Sequence, residues 1–388
     1  MMGGMVERDF DIVLFGATGF TGQLTADYLA RTAPPDLRWA LAGRNQGKLE
    51  AVRERLGLPD LELLHAESGD PASLSDVAAR TRVVITTVGP YLQYGEALVG
   101  ACAEAGTDYV DLTGEPEFID QMYLKHHETA VRTGARLVHA CGFDSVPHDL
   151  GALYTVKQLP SDAPISLRGV VRASGMASGG TLHSALTQAG RPRQMKQASA
   201  ARRRAEGKPS SGRRSRAVSG KPHRDPVLDY WLLPLPTVDP VVVARSGAAL
   251  PAYGPDFRYS HYAGTKTIRY AAGGVLGLVA LGAAAQVPAL SKFLRSRVTA
   301  GEGPDAAKRA TSWFTVDFVG EGGGQTVRTR VSGGDPGYGE TAMMLAESAL
   351  CLALDDNPVT VGQVTTAQAM GENLLARVQA AGLRFETR

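Results

Sequence analysis

Cysteine is scarce in this chain: Cys102, Cys141 and Cys351 are the only three among 388 residues. An odd, scattered set excludes a disulfide framework and leads us to expect a reducing, cytoplasmic setting. Strongly apolar long runs are lacking too. The uncharged stretch 271–290, "AAGGVLGLVALGAAAQVPAL", is mostly Gly and Ala, is interrupted by Pro288, and is flanked by Lys266, Arg269, Lys292 and Arg295. That composition favours a close-packed helix or a membrane-peripheral element over a span. The opening "MMGGMVERDF" has no basic segment leading into an apolar core, so no secretory signal is read. Acids are nearly absent from 191–224, where 12 Lys and Arg stand against Glu206 alone. The remainder of the chain holds 29 basic and 38 acidic residues, so the positive charge is local and nucleic acid is not an expected partner. No metal site is expected either. His126 and His127 are adjacent rather than a helical turn apart, and no cysteine pair exists.

What is present is a rhythm. Strand-like runs at 12–15, 39–42, 61–65, 83–88, 109–112 and 136–140 alternate with helix-like stretches over the first 150 residues. This spacing predicts an α/β domain with a doubly wound parallel sheet, a Rossmann arrangement over 1–150. After Gly151 the pattern changes to a mixed α+β second domain, read as 151–345, with the Arg-rich insertion 191–224 and C-terminal helices at 346–388. The insertion, poor in large apolar residues, reads as a solvated loop or as a docking surface for an anionic partner. "SWFTVDFVGEGGGQTVRTRVSGG" predicts a hairpin turning at its glycines, "GETAMMLAESALCLAL" a helix, and "TTAQAMGENLLARVQAAG" one further helix ending at Gly382.

The first strand runs into "GATGFTG": Gly16, Ala17, Thr18, Gly19, Phe20, Thr21 and Gly22. A helix opening there aims unpaired N–H groups and a positive dipole end at the turn, a seat for a pyrophosphate. Gly16 permits the tight turn, Gly19 the approach of phosphate, and Gly22 the packing of helix on strand. About 20 residues on, an NAD site places an acid for the ribose hydroxyls. That acid is missing. The chain reads Gly43, Arg44, Asn45 and, a little later, Lys48, a cationic set suited to a 2′-phosphate, so NADP(H) is the expected cofactor. Ser68 and Asp70 follow the third strand. Thr87, Val88, Gly89, Pro90 and Tyr91 follow the fourth, beside the expected nicotinamide ribose.

These motifs resemble those of the saccharopine dehydrogenase-like oxidoreductases, above all the actinobacterial trans-acting enoyl reductase branch. The resemblance runs nearly end to end: "GATGFTG", "LAGRN", "TVGPY", "YVDLTGE", "CGFDSVPHDLG", "SGGT", "GGDPGYGETA" and "AMGENLL". It implies an NADP-type Rossmann domain, a mixed second domain, reduction of a lipid or polyketide enoyl intermediate, and a homodimer. The long Arg-rich insertion departs from the pattern.

Enoyl reduction requires a hydride donor, a hydrogen-bond donor for the developing enolate and a proton for the α carbon. Tyr91, Asp144, Ser145, His148, Thr181 and Tyr338 are able to serve, and "CGFDSVPHDLG", after the sixth strand, favours Asp144 and Ser145. Tyr91, Asp144 and Ser145 are thus the catalytic candidates. Tyr262 and Lys266 have the Tyr-x-x-x-Lys spacing of short-chain dehydrogenases but lie outside the nucleotide fold, and the match reads as coincidence. The expected partner is a small-molecule or carrier-bound acyl substrate, brought by an acidic carrier protein or met at an anionic membrane surface. Two other readings remain open: a saccharopine-type amino-acid-linked dehydrogenase, with Arg168 and Arg172 among few candidates for its carboxylates, and a lipid-associated nucleotide-binding protein without turnover.

Overall fold

A computed structural model describes residues 8–174, 187–207, 212–270 and 305–388, with 273, 274, 277, 285 and 286. Most of 271–290, and the whole of "SGGT" with Thr181, lie outside these described residues. Among the described residues no helix is long and apolar enough to cross a membrane.

The strands of the first sheet are β1 (Phe10–Phe15), β2 (Trp39–Gly43), β3 (Glu62–His65), β4 (Thr81–Thr86), β5 (Asp108–Asp111) and β6 (Arg136–Val138). Helices α1 (Phe20–Thr32), α2 (Gln46–Leu56), α3 (Pro71–Ala79), α4 (Tyr91–Tyr94), α5 (Glu96–Ala105) and α6 (Pro116–Thr133) connect them. β1 is buried at every position, as a strand covered on both faces must be. The helices stop where glycine enters the left-handed region, at Gly57, Gly106 and Gly134 for α2, α5 and α6.

Helix α7 (Val146–Val156) leads out of this sheet into the second, built from β7 (Ile165–Ser174), β8 (Arg214–Ala217), β9 (His223–Arg224), β10 (Trp231–Pro234), β11 (Asp256–Thr265), β12 (Trp313–Gly322), β13 (Gln325–Gly333) and, at the end of the chain, β15 (Arg384–Thr387). Its order is β15-β13-β12-β7-β11-β10-β9, with β8 also on β11. β12 and β13 form the expected hairpin, turning through Gly323 and Gly324, both at positive φ. α7 presses on this sheet so closely that a Cβ on Gly151 would lie 2.4 Å from the Phe318 ring.

Three features depart from the sequence reading. The first sheet has seven parallel strands, not six, in the order β14-β6-β5-β4-β1-β2-β3; the seventh, β14 (Gly362–Val364), returns from the far end of the chain to β6. Three residues are too few to carry a periodic signal. Part of the Arg-rich insertion is a helix, α8 (Pro192–Glu206), packed on α6, and its remainder supplies β8 and β9. Alanine and arginine are good helix formers, and the docking is polar rather than apolar, which composition alone does not reveal. The terminal helix is two, α11 (Thr366–Ala369) and α12 (Gly371–Ala380), broken where Gly371 takes φ +46°.

Two more helices shape the site: α9 (Asp239–Ala249) in the second half, and α10 (Gly339–Leu354), which lies against α1, β1, β4 and β5. Met344 and Leu350 of α10 share one buried cluster with Ile12 and Leu14 of β1 and Phe318 of β12, so a single core runs beneath both sheets.

Candidate active site

The strand order reverses between β1 and β4, and loops leave the carboxyl ends of both there, which is where open α/β sheets bind ligands. Gly16 has φ +94°, and a Cβ on it would meet Thr87 Oγ1 at 2.7 Å. Thr87 Oγ1 donates to the Gly16 carbonyl at 3.1 Å and Thr87 N–H to the Phe15 carbonyl at 3.0 Å, so the two loops are stitched together. A Cβ on Gly22 would fall 2.1 Å from the Gly16 carbonyl oxygen, so helix and turn can approach only with glycine there. Gly19, the residue before α1, is exposed, and a Cβ on it would meet only the Gly16 carbonyl within 4 Å. No side chain caps this helix start. The first-turn N–H groups of Phe20, Thr21 and Gly22 have no acceptor among the described residues, as a diphosphate seat requires. Ala17 is buried and Thr18 half-buried; the Thr18 carbonyl accepts from Gln23 Nε2 at 3.1 Å.

At the end of β2, Gly43 is buried against Leu49, while Arg44 and Lys48 are exposed and their side chains have no partner among the described residues. Asn45 differs: its Oδ1 accepts the Lys48 N–H at 2.9 Å and caps α2. Asp70 is likewise engaged, accepting the Ala72 N–H at 3.1 Å to cap α3, with Ser68 half-buried beside it. Both side chains thus have local structural work that the sequence reading did not separate from nucleotide contact. The loop after β4 holds half-buried Val88, exposed Gly89 and half-buried Pro90, with a cis peptide between the last two.

Of the catalytic candidates, Tyr91 is the least available. Its ring is buried, its hydroxyl donates to the Thr86 carbonyl at 3.2 Å and accepts from Leu112 N–H at 3.2 Å. Burial, reinforced by the nearby Asp111 charge, pushes the phenol well above its ordinary range. Such a group is fixed by backbone on both sides. Ser145 is buried, and its hydroxyl has no hydrogen-bond partner among the described residues. Asp144 is half-buried and makes no hydrogen bond to another described residue. Desolvation, then repulsion from Asp239, pushes its carboxyl up to about 6 against the opposing pull of His148.

The surrounding loops are firmly set. Asp111, fully buried at the end of β5, accepts from Tyr109 Oη at 2.9 Å, Thr113 N–H at 3.0 Å and Ala140 N–H at 2.8 Å, and lies 2.7 Å from His139 Nδ1. This holds Ala140 at φ +61°, a left-handed conformation that a non-glycine residue adopts only under constraint. Phe143 N–H donates to Thr341 Oγ1 at 3.1 Å, joining "CGFDS" to "GDPGYGET". Tyr338 packs edge-on against Phe20 at 4.9 Å, bringing the second motif to the glycine turn. Asp149 instead accepts from Thr366 Oγ1 at 2.7 Å and Ala367 N–H at 2.8 Å, fastening α7 to α11. One group escaped sequence reasoning: His148, Asp239 and His261, brought together from α7, α9 and β11. Tyr262 sits on β11, so its spacing from Lys266 is a strand's and not a helix face.

Bare helix start, cationic rim and reversed strand order together define a nicotinamide-nucleotide-dependent oxidoreductase, with residues that fit NADP(H). The saccharopine dehydrogenase NADP binding domain family matches residues 12–138. A putative trans-acting enoyl reductase of Mycobacterium tuberculosis is 41% identical over 98% of both chains. A trans-acting enoyl reductase of Mycobacterium ulcerans is 34% identical over 97% of each. The chain belongs to this trans-acting enoyl reductase family. Its fold is that of apo saccharopine dehydrogenase from Saccharomyces cerevisiae, with TM-score 0.56, 13% identity, and 98% and 100% of the two chains covered.

Proposed function

We propose that the protein reduces the enoyl group of a lipid or polyketide acyl intermediate with NADPH, acting in trans on a chain made by a separate synthase. The observation that carries this reading is the uncapped start of α1 beside the unpartnered Arg44, with Asp144 free of hydrogen bonds to other described residues. Residues 16–22 hold the diphosphate through main-chain N–H groups, Arg44 and Lys48 take the 2′-phosphate, and Thr87–Tyr91 form the nicotinamide side of the cleft. When bound, the cofactor supplies hydride to the β carbon. Asp144, its carboxyl raised to about 6, keeps its proton into mildly acidic pH, well above the range of an ordinary carboxyl, and delivers it to the α carbon. Ser145 Oγ, buried and unpartnered, is the available donor for the thioester oxygen as negative charge grows there.

A saccharopine-type substrate is disfavoured by the engagement of its candidate receptors. Arg168 pairs with Asp225 at 2.6 Å and Glu321 at 2.9 Å, and Arg172 stacks on Tyr230 at 4.6 Å. The outward face of α8 supports delivery by an acidic carrier. Arg193, Lys196, Arg203 and Arg204 are exposed, follow helical spacing along one side, and pair with no described residue.

The test is loss of NADPH absorbance on mixing purified protein with a series of enoyl thioesters, small and carrier-bound. Turnover with at least one enoyl thioester, and none with saccharopine-like amino acids, supports the reading. NADPH binding without turnover of any enoyl substrate overturns it in favour of a non-catalytic nucleotide-binding role.

A further inference from the structure

The group formed by His148, Asp239 and His261 is buried, with side chains 1–3% exposed. His148 Nδ1 is 2.8 Å from Asp239 Oδ1, close enough for an ion pair, yet neither atom has a well-aligned hydrogen-bond partner among the described residues. His261 Nε2 is 3.7 Å from Asp239 Oδ2, too far for a hydrogen bond, and has no hydrogen-bond partner among the described residues. One ligand atom from each residue falls within 4.8 Å of the others. Buried polar atoms left unpaired are costly, and here three of them converge.

The geometry points to a divalent transition-metal site, of the kind that takes Zn²⁺, formed by His148, Asp239 and His261. Two imidazole nitrogens and a carboxylate oxygen are the ligand chemistry of three-residue zinc sites with an open fourth position. Bonds of about 2.0–2.1 Å in a tetrahedron separate ligand atoms by about 3.3 Å, within the spread between 2.8 and 4.8 Å seen here. Tyr259 Oη lies 3.0 Å from His261 Nδ1. With Nδ1–H donating to this hydroxyl, Nε2 keeps its lone pair for the cation, as outer partners of metal-bound histidines do. The bound ion ties α7, which leaves the nucleotide sheet, to α9 and β11 of the second half.

The site is read by elemental analysis of the full-length protein after gel filtration, and by Co²⁺ uptake after chelation. Expected are about one zinc per chain, a visible Co²⁺ spectrum of low-coordinate type, and a higher melting temperature of the chelated protein on adding Zn²⁺. Asp239→Asn and His261→Ala should each abolish stoichiometric binding, while His126→Ala, outside the cluster, should not. Tyr259→Phe should weaken affinity roughly 10–100-fold without abolishing it. Wild-type protein that takes up neither ion overturns the proposal, as does full zinc retention in Asp239→Asn and His261→Ala. Where those variants fail to fold, X-ray absorption of the wild-type Co²⁺ form decides: two imidazoles in the coordination shell support the site, and none overturns it. NADPH affinity measured alongside keeps failure of this site distinct from failure of the proposed reductase activity.

Discussion

The rim at Arg44 and Lys48 and the helix α8 are both rich in cations, yet their charges differ in what they touch. On the rim neither side chain meets a described partner. On α8 the inward charges are engaged: Arg202 reaches buried Asp120 at 2.5 Å and also Glu206, and neighbouring Arg191 holds buried Glu117 at 2.7 Å. Arg245 of α9 extends the cluster to Glu206 at 3.2 Å. Only the outward residues of α8 resemble the rim. A count of charges therefore merges two physical roles, a docking lock between helices and a set of vacant cations, which the inventory of partners separates.

The sharpest way to break that distinction is Arg202→Ala. It leaves Asp120 buried without its counter-ion and should cost about 3–5 kcal/mol, read as a lower urea midpoint. Burial already raises the Asp120 carboxyl, and losing Arg202 raises it further. The folded variant then binds a proton that the unfolded chain releases, so its deficit should shrink between about pH 7 and about pH 5. An equal deficit at both values would remove the buried charge as the cause.

Asp144→Asn asks the same question of an acid, since Asp149 is engaged and Asp144 is not. A fall in kcat of roughly 10²–10⁴-fold with NADPH affinity unchanged is expected. In the metal-free wild type, kcat should decline as pH rises through about 6, because the protonated carboxyl is the active form. A flat profile with normal turnover in the variant would exclude the assignment. Arg44→Asp should shift preference from NADPH toward NADH by roughly 10–100-fold in the ratio of dissociation constants, the worth of a charge-assisted contact. Unchanged NADPH affinity would contradict its role. The smallest effect belongs to the outer face of α8. Reversing Arg193 and Lys196 to Glu should raise KM for a carrier-bound enoyl thioester several-fold, more at low salt, and leave that for a small thioester unaltered. Equal changes for both would remove the carrier from the account.

Much of the nucleotide half was legible because its signals are local. Strand, glycine turn and helix start follow one another within 15 residues, and Arg44 stands where an acid is otherwise needed. Asn45 and Asp70 were harder, since a cap and a ribose contact ask for the same residue types at the same place. The setting of Tyr91 was hidden because the partners of its hydroxyl, Thr86 O and Leu112 N–H, are backbone groups that no side-chain pattern announces. α8 escaped because the acids it pairs with, Glu117 and Asp120, lie on α6, far away in sequence. His148, Asp239 and His261 meet only after α7, α9 and β11 have packed, so no spacing rule could join them.

The late strand β14 has a consequence for synthesis. A chain still emerging from the ribosome cannot finish its first sheet until residue 364 is out, and α10, which roofs β1 and β4, also arrives only after 338 residues have passed. Until then the nascent Rossmann half exposes the edge of β6 and the apolar patch that Met344 and Leu350 later cover, the kind of surface that holding chaperones recognise.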